Sequence, residues 1–450
     1  MQVAATLARK PPQAGQLLRV LGLAFALAVG VGTVVGGGIL RTPAVVFDAV
    51  PHAGFALGLW LAVGLHCLLQ ANVVSELMTA LPRAGGLFVP ARAAFGEPGG
   101  LLVGWTDWLG YIAAVAALSI LASDFTVLAV PPLASYVTAI AVGFLAVFIA
   151  INWLGVREGS TAQIIGSAAK MLFLVALVML ILFSRPIDSS ALGHAVGPIG
   201  ATGIIVAYQT IFGGYTGFSN VAYFAEEDQN PSRNIPRGMF MTVLAVMALY
   251  CLISAALYLT MSPAALAKST LPIADALAPV IGPFAFKLIA IGAVLIALTC
   301  LNANLMGAPR ILYGLAEQRM FPTAALRVNR GGTPSVALAL SAAAALGLTL
   351  TGQFATVFLI MAALGIVPFV VADFALFKLR REAPELARPY RAKLYPWLPA
   401  LALLLDVGML IAFLAADWTS GLFIVAAVAI CVPIGLWMRR NQPEPIALGG

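Results

Sequence analysis

Apolar stretches of about 20 residues recur along the whole chain, each long enough to cross roughly 30 Å of hydrocarbon, with short polar punctuation between them. About twelve can be counted, at 19–47, 53–80, 99–130, 133–154, 161–183, 199–224, 236–261, 284–313, 334–351, 355–377, 397–415 and 422–437. The pattern predicts an all-α polytopic membrane protein. No polar stretch is long enough for a soluble domain, so 19–440 reads as one transmembrane domain between the tails 1–18 and 441–450. The first of these has neither an apolar core nor a small-residue cleavage site, and reads as a tail, not a cleaved signal.

Composition agrees: of 450 residues 61% are hydrophobic and 10% charged, against about 25% charged in soluble domains. Lysine and arginine set the orientation, because translocated loops are depleted of them. With both termini cytoplasmic, 20 of the 25 lie in inner loops and tails; Arg41, Arg185, Lys268 and Lys287 lie on or near the outer side, and Lys170 inside a helix. The net charge of +7 is therefore a topology signal and not a nucleic-acid footprint. Compact loops and short tails suggest a bacterial inner (plasma) membrane. Cys67, Cys251, Cys300 and Cys431 fall in apolar helices without paired spacing, and the three histidines form no cluster with carboxylates. No disulfide, metal or cofactor is expected, and an enzyme would lack its constellation. The isolated charges line no single helix face, which argues against a channel.

Two glycine clusters break the pattern. The first span holds Gly30 and Gly32 and then the run Gly36, Gly37, Gly38; the sixth holds Gly213, Gly214 and Gly217 around Tyr215. Glycines in membrane helices often serve only close helix packing, and Gly32 with Gly36 fits that use too. Here, however, both clusters lie mid-span, where unwound backbone is tolerable only if it is buried in protein or lines a cavity. They also occupy corresponding positions in two five-helix halves, 19–184 and 199–378. Five is odd, so the second half must run inverted, which is how inverted-repeat transporters mark their substrate site. The charged segment 225–237, with Pro231 and Pro236, should end one helix and start the next.

Several segments resemble the amino acid, polyamine and organocation permease family. They are GVGTVVGGGILRTP at 30–43, FGGYTGFSNVAYFAEEDQNPSRNIP at 212–236, Gly155-Val156-Arg157-Glu158 before the fifth helix, LPRAGG at 81–86 after the second, and RILYGLA at 310–316 after the eighth. The resemblance covers nearly the full chain. It implies a five-plus-five inverted repeat, shared with the sodium-coupled leucine transporter, with helices one and six broken and two extra C-terminal helices at 397–438. It implies a free amino acid as the usual substrate. The broken helices suit a zwitterion: the carbonyls of Thr33, Val34 and Val35, with those of Gly213 and Thr216, would receive its ammonium, and the amides of Gly37, Gly38 and Ile39 beyond Gly36 its carboxylate. Two departures bear on specificity. Gly37 stands where the family commonly has a serine, so recognition there rests on backbone. Gly213 stands where relatives carry a covering aromatic, which leaves a roomier pocket or one closed by Phe212, Tyr215 or Phe218.

An ionisable group in hydrocarbon is a functional hypothesis by default. Lys170, nine residues into the fifth span and about 14 Å deep, matches the position where proton-coupled relatives place a lysine in the space of the sodium ion. It would couple protons to transport by releasing one as the gate changes state, or would serve only as a fixed charge on the helix-one carbonyls. Asp107 and Glu76 are further gate or proton candidates, with Asp373 and Asp406 also buried; each could equally be a structural ion pair. Nothing acidic stands at either break, which favours a neutral side chain on the substrate. The expected function is thus proton-coupled transport of an amino acid. The alternatives are an exchanger, an amine or organocation permease, and a non-transporting sensor. A disulfide-linked glycoprotein partner is not expected, since the 123–133 segment has no cysteine.

Overall fold

The computed structural model describes residues 17–188, 197–353, 357, 364–416 and scattered positions from 422 to 437. Most of the expected tail 1–18, the start of the tenth span, most of the twelfth span, Cys431 and the tail 441–450 lie outside the described residues. The elements are helices α1 (Leu23–Val34), α2 (Thr42–Ala49), α3 (Ala53–Ala80), α4 (Phe88–Ala129), α5 (Val137–Leu154), α6 (Val156–Ser184), α7 (Ala201–Tyr215), α8 (Pro231–Thr260), α9 (Pro263–Lys268), α10 (Pro272–Ile281), α11 (Phe284–Glu317), α12 (Ser335–Thr349), α13 (Val367–Glu382) and α14 (Trp397–Ala416). Among the described residues there is no strand, and seven helices are long and apolar enough to cross a membrane. The protein is an all-α polytopic membrane protein.

Two helices, α1 and α7, are interrupted. α1 stops at Val34; Val35 and Gly36 are non-helical, and a 3-10 turn over Gly37–Leu40 leads into α2. α7 stops at Tyr215, and a 3-10 segment over Phe218–Phe224 follows Thr216 and Gly217. Gly217 has φ +107°, a conformation that favours glycine, and a Cβ built on it would lie 2.9 Å from the Thr33 Cβ. The two breaks therefore touch. Gly213 and Gly214 sit inside the last turn of α7, so the second interruption falls at Thr216–Gly217, slightly later than the glycine pair suggests.

The broken helices are held inside a frame. α11 packs along α4, and α3 along α8, while α1 lies against α6, α8 and α11. Gly30 and Gly32 serve this packing: a side chain at Gly30 would overlap Thr242 of α8, and one at Gly32 the Gln163 side chain of α6.

Several boundaries differ from the hydropathy reading. α6 begins at Val156, not 161, because Gly155 is the residue that turns the chain; Lys170 then lies about 21 Å along its helix, at the centre. α8 starts at Pro231, so Pro236 lies within the helix. Asp228 fixes that start, accepting from the Asn230 amide at 2.6 Å and the Asn234 side chain at 2.8 Å. Burial pushes the Asp228 carboxyl above its ordinary range, against the opposing pull of those two donors. α4 begins at Phe88, eleven residues before the expected third span, and turns at Gly96 (φ +70°). The 310–316 motif falls inside α11 and not after it, which makes Arg310 a buried residue and removes it from the loop charges.

Candidate functional site

The site is built where the breaks meet. At the first, Val35 donates back to Val31 and Gly36 to Val34, closing α1. Among the described residues no acceptor meets the amides of Gly37 and Gly38, and Gly38 is exposed while Thr33 and Gly36 are partly so. At the second, Gly213 is exposed and Thr216 and Gly217 partly so. A Cβ built on Gly213 would meet nothing within 4 Å among the described residues. The unmet amides thus belong to one buried glycine, Gly37, and one exposed glycine, Gly38, on a break that touches the second, where Gly213 is exposed.

The carbonyls of the first break divide unequally. Lys170, fully buried at 0% exposure, donates through Nζ to Gly32 at 2.7 Å and Val35 at 2.9 Å. Its third neighbour is Cys300 Sγ of α11, at 3.6 Å, which itself lies 3.3 Å from the Val35 carbonyl. The Tyr250 hydroxyl of α8 is 3.1 Å from the carbonyls of both Val34 and Gly214, so it pins one break to the other. Among the described residues the Thr33 carbonyl has only the Cys300 thiol, at 3.9 Å. The Gly213 carbonyl accepts from the Thr216 hydroxyl at 2.9 Å. Among the described residues this leaves Thr33 and Thr216 as the carbonyls least committed to protein partners, with Gly213 engaged only by its neighbour Thr216.

The three aromatics near the second break are turned into packing. Phe212 stacks on His66 at 5.3 Å, Tyr215 packs on Trp60 and Tyr250, and Phe218 stacks on Phe369 at 5.7 Å. All three are buried, and Gly213 is left uncovered.

The other ionisable candidates are placed elsewhere. Asp107 of α4 accepts a short hydrogen bond from Tyr223, beyond the second break, and Tyr111 one turn on donates to Asn220 at 2.6 Å. Glu76, at the end of α3, is a bidentate partner of Arg380 (2.8 and 2.5 Å), lies 3.1 Å from Arg388 and accepts from the Ala392 amide at 2.6 Å. It ties α3 to α13 and the loop after it, and is not brought to the breaks. Among the described residues no group of three metal-ligating side chains occurs.

Sequence reading alone passes over Tyr250 and Cys300. A tyrosine amid the apolar residues of α8 was the available signal, since a buried hydroxyl needs a partner; nothing about Cys300 sets it apart from the other membrane cysteines. It also passes over the Arg310–Glu227 pair, at 2.8 and 3.0 Å, over which Phe224 lies 5.0 Å from the guanidinium. This pair, with Leu21 hydrogen bonded to Glu227 and Gln229, closes the ends of the two broken segments against each other.

Comparison with known proteins bears on the same residues. The profile of the family described as "Amino acid permease" matches residues 21–444. The serine/threonine exchanger SteT of Bacillus subtilis is 28% identical over 438 residues, 95% of this chain and 98% of the relative. An uncharacterized transporter of Mycobacterium tuberculosis is 29% identical over 439 residues, 90% and 89% of the two chains. The mitochondrial cationic amino acid transporter 3 of Arabidopsis thaliana is 29% identical over 334 residues, 70% of this chain and 54% of the relative.

Proposed function

Because the chain belongs to the amino acid permease family, we propose that it moves a neutral amino acid across the plasma membrane by alternating access, with protons as the coupling ion. The observation that carries the reading is the contact between the two breaks, with the Gly37 and Gly38 amides unmet on one side and Gly213 open on the other. A substrate carboxylate takes those amides, where backbone dipoles favour an anion. Its ammonium takes the carbonyls of Thr33, Gly213 and Thr216, because those of Val34 and Val35 already serve Tyr250, Lys170 and Cys300. The side chain occupies the space over Gly213 and Gly214. Among the described residues no carboxylate is bonded to either break, and a buried distal cation would go unpaired, which favours a neutral side chain.

Lys170 is the coupling residue in this reading. Its ammonium holds Gly32 and Val35 together across the unwound turn; loss of its proton removes two charge-assisted donors from that turn and loosens α1. Asp107, held to Tyr223 on the far side of the second break, sits where a gate would move, and Glu76 anchors the frame against which it moves. The loop charges support cytoplasmic termini in this reading.

Exchange is the second reading, favoured by the extent of the similarity to the serine/threonine exchanger. Binding tests the substrate class under either. Neutral amino acids should raise the thermal stability of the purified protein, by about 2.7 kcal/mol at one hundred times Kd. Gly213→Trp should keep stabilisation by the smallest substrates and lose it for larger ones. Stabilisation only by cationic amino acids or amines would reject the neutral substrate.

A further inference from the structure

A second buried polar chain lies in the middle of the bundle, away from Lys170. His66 is in the middle of α3 and 1% exposed; Asp406, at 0%, is the tenth residue of α14, a helix whose Leu401, Leu404 and Ile411 face outward. His66 Nε2 is 2.9 Å from Asp406 Oδ1, which also accepts from Gln70, and His66 Nδ1 is 2.9 Å from the hydroxyl of Tyr208 on α7. The Asp373 carboxyl of α13, 2% exposed, lies within hydrogen-bond reach of the Asp406 carboxyl. Asp373 Oδ2, Asp406 Oδ2 and Gln70 Oε1 are buried and, among the described residues, meet no N–H or O–H donor. The remaining titratable group that bears on the cluster is Cys67, next to His66 on α3. Four helices thus converge on two facing carboxyls that have a histidine on one side and a missing donor on the other.

We propose that Tyr208, His66, Asp406 and Asp373 form a membrane-buried proton-binding chain, whose loaded form holds one proton between the two carboxyls and whose state sets the docking of α7. One shared proton supplies the donor that both Oδ2 atoms lack; without it two carboxylates face each other in a low-dielectric site. Tyr208 is only half-buried and forms the mouth of the chain. Hydronium gives a proton to the Tyr208 hydroxyl and leaves as water, as that hydroxyl passes its own proton to His66 Nδ1; the Nε2 proton passes to Asp406 Oδ1, rotation of that carboxyl brings it to the Oδ2 position, and the imidazole is left as its other tautomer. The link to transport is Phe212, one helical turn beyond Tyr208, which stacks on His66 and precedes the uncovered Gly213. Unloading the pair alters the surface on which the last turn of α7 rests. The chain acts whether net transport is symport or exchange, so it does not rest on the coupling role given to Lys170.

Infrared spectroscopy of the purified protein over a pH series tests this directly, together with substrate exchange at equal pH on both sides of proteoliposomes, which needs no net proton movement. The wild type should show a protonated-carboxyl C=O band near neutral pH that disappears as pH rises. Its exchange rate should fall about tenfold per pH unit above that titration, as one proton dictates. Asp373→Asn and Asp406→Asn should each lose the band and flatten the pH profile. An isostere that retains the band or the wild-type profile overturns the proposal. Should the isosteres not fold, Tyr208→Phe decides: after a pH jump the band should return at least tenfold more slowly, and an unchanged rate overturns the chain as a proton path.

Discussion

Gly37 carries one of the two unmet amides at the first break, and its neighbourhood admits a small addition. A Cβ there would lie 3.1 Å from Leu121 Cδ2, the end of a flexible side chain. Gly37→Ser should therefore fold and add one hydroxyl to a bound carboxylate. One net hydrogen bond is worth about 0.5–1.5 kcal/mol, or roughly two- to tenfold in Kd, whereas Gly37→Ala should give no gain; titration calorimetry separates the two. Lys170→Met conserves length and removes the donors to Gly32 and Val35. Two charge-assisted hydrogen bonds at about 1.5–3 kcal/mol each make a loss of at least tenfold in gradient-driven uptake the expected result. Gly217→Ala should be worse tolerated than Gly37→Ala, because φ +107° and the Thr33 side chain both oppose a methyl group. A fall in the unfolding midpoint for Gly217→Ala alone would check this.

At the level of elements, the broken segments depend on buried ion pairs that fix their ends. Arg310 and Glu227 are almost wholly out of solvent, at 2% and 0% side-chain exposure. Removing one partner strands the other, so Arg310→Met should cost about 3–5 kcal/mol, read as a lowered midpoint in chemical unfolding. Arg310→Met combined with Glu227→Gln should recover part of that loss, because no lone charge stays buried. These pairs also mark where sequence reading stops. The glycine clusters announced both breaks because no other residue pattern leaves a mid-span turn so bare. Helix ends were less legible: Pro236 reads as a stop, yet α8 already runs through it from the start set by Asp228 and Asn230. Arg310 reads as a loop charge because its partner lies 83 positions away in the chain. For the same reason Asp406 reads as a buried candidate without a named partner, since only the packing of α14 on α3 joins it to His66.

On the scale of the whole molecule, one break is fixed to the other by Tyr250 and the first is fixed to the frame by Lys170 and Cys300, so a change in one half-helix must be felt by its counterpart. α14 adds Asp406 to the bundle, which gives that helix a polar contact with the core in addition to lateral packing. A carrier built this way should transport and not merely bind. The most direct measurement is uptake of radiolabelled neutral amino acids into proteoliposomes of the wild-type protein, with an inward proton gradient and empty lumen, set beside vesicles preloaded with amino acid and no gradient. Uptake that the gradient drives into empty vesicles is the predicted result. Uptake that occurs only against a preloaded amino acid and ignores the gradient would contradict proton coupling and make the protein an exchanger, and no uptake in either condition would contradict transport itself.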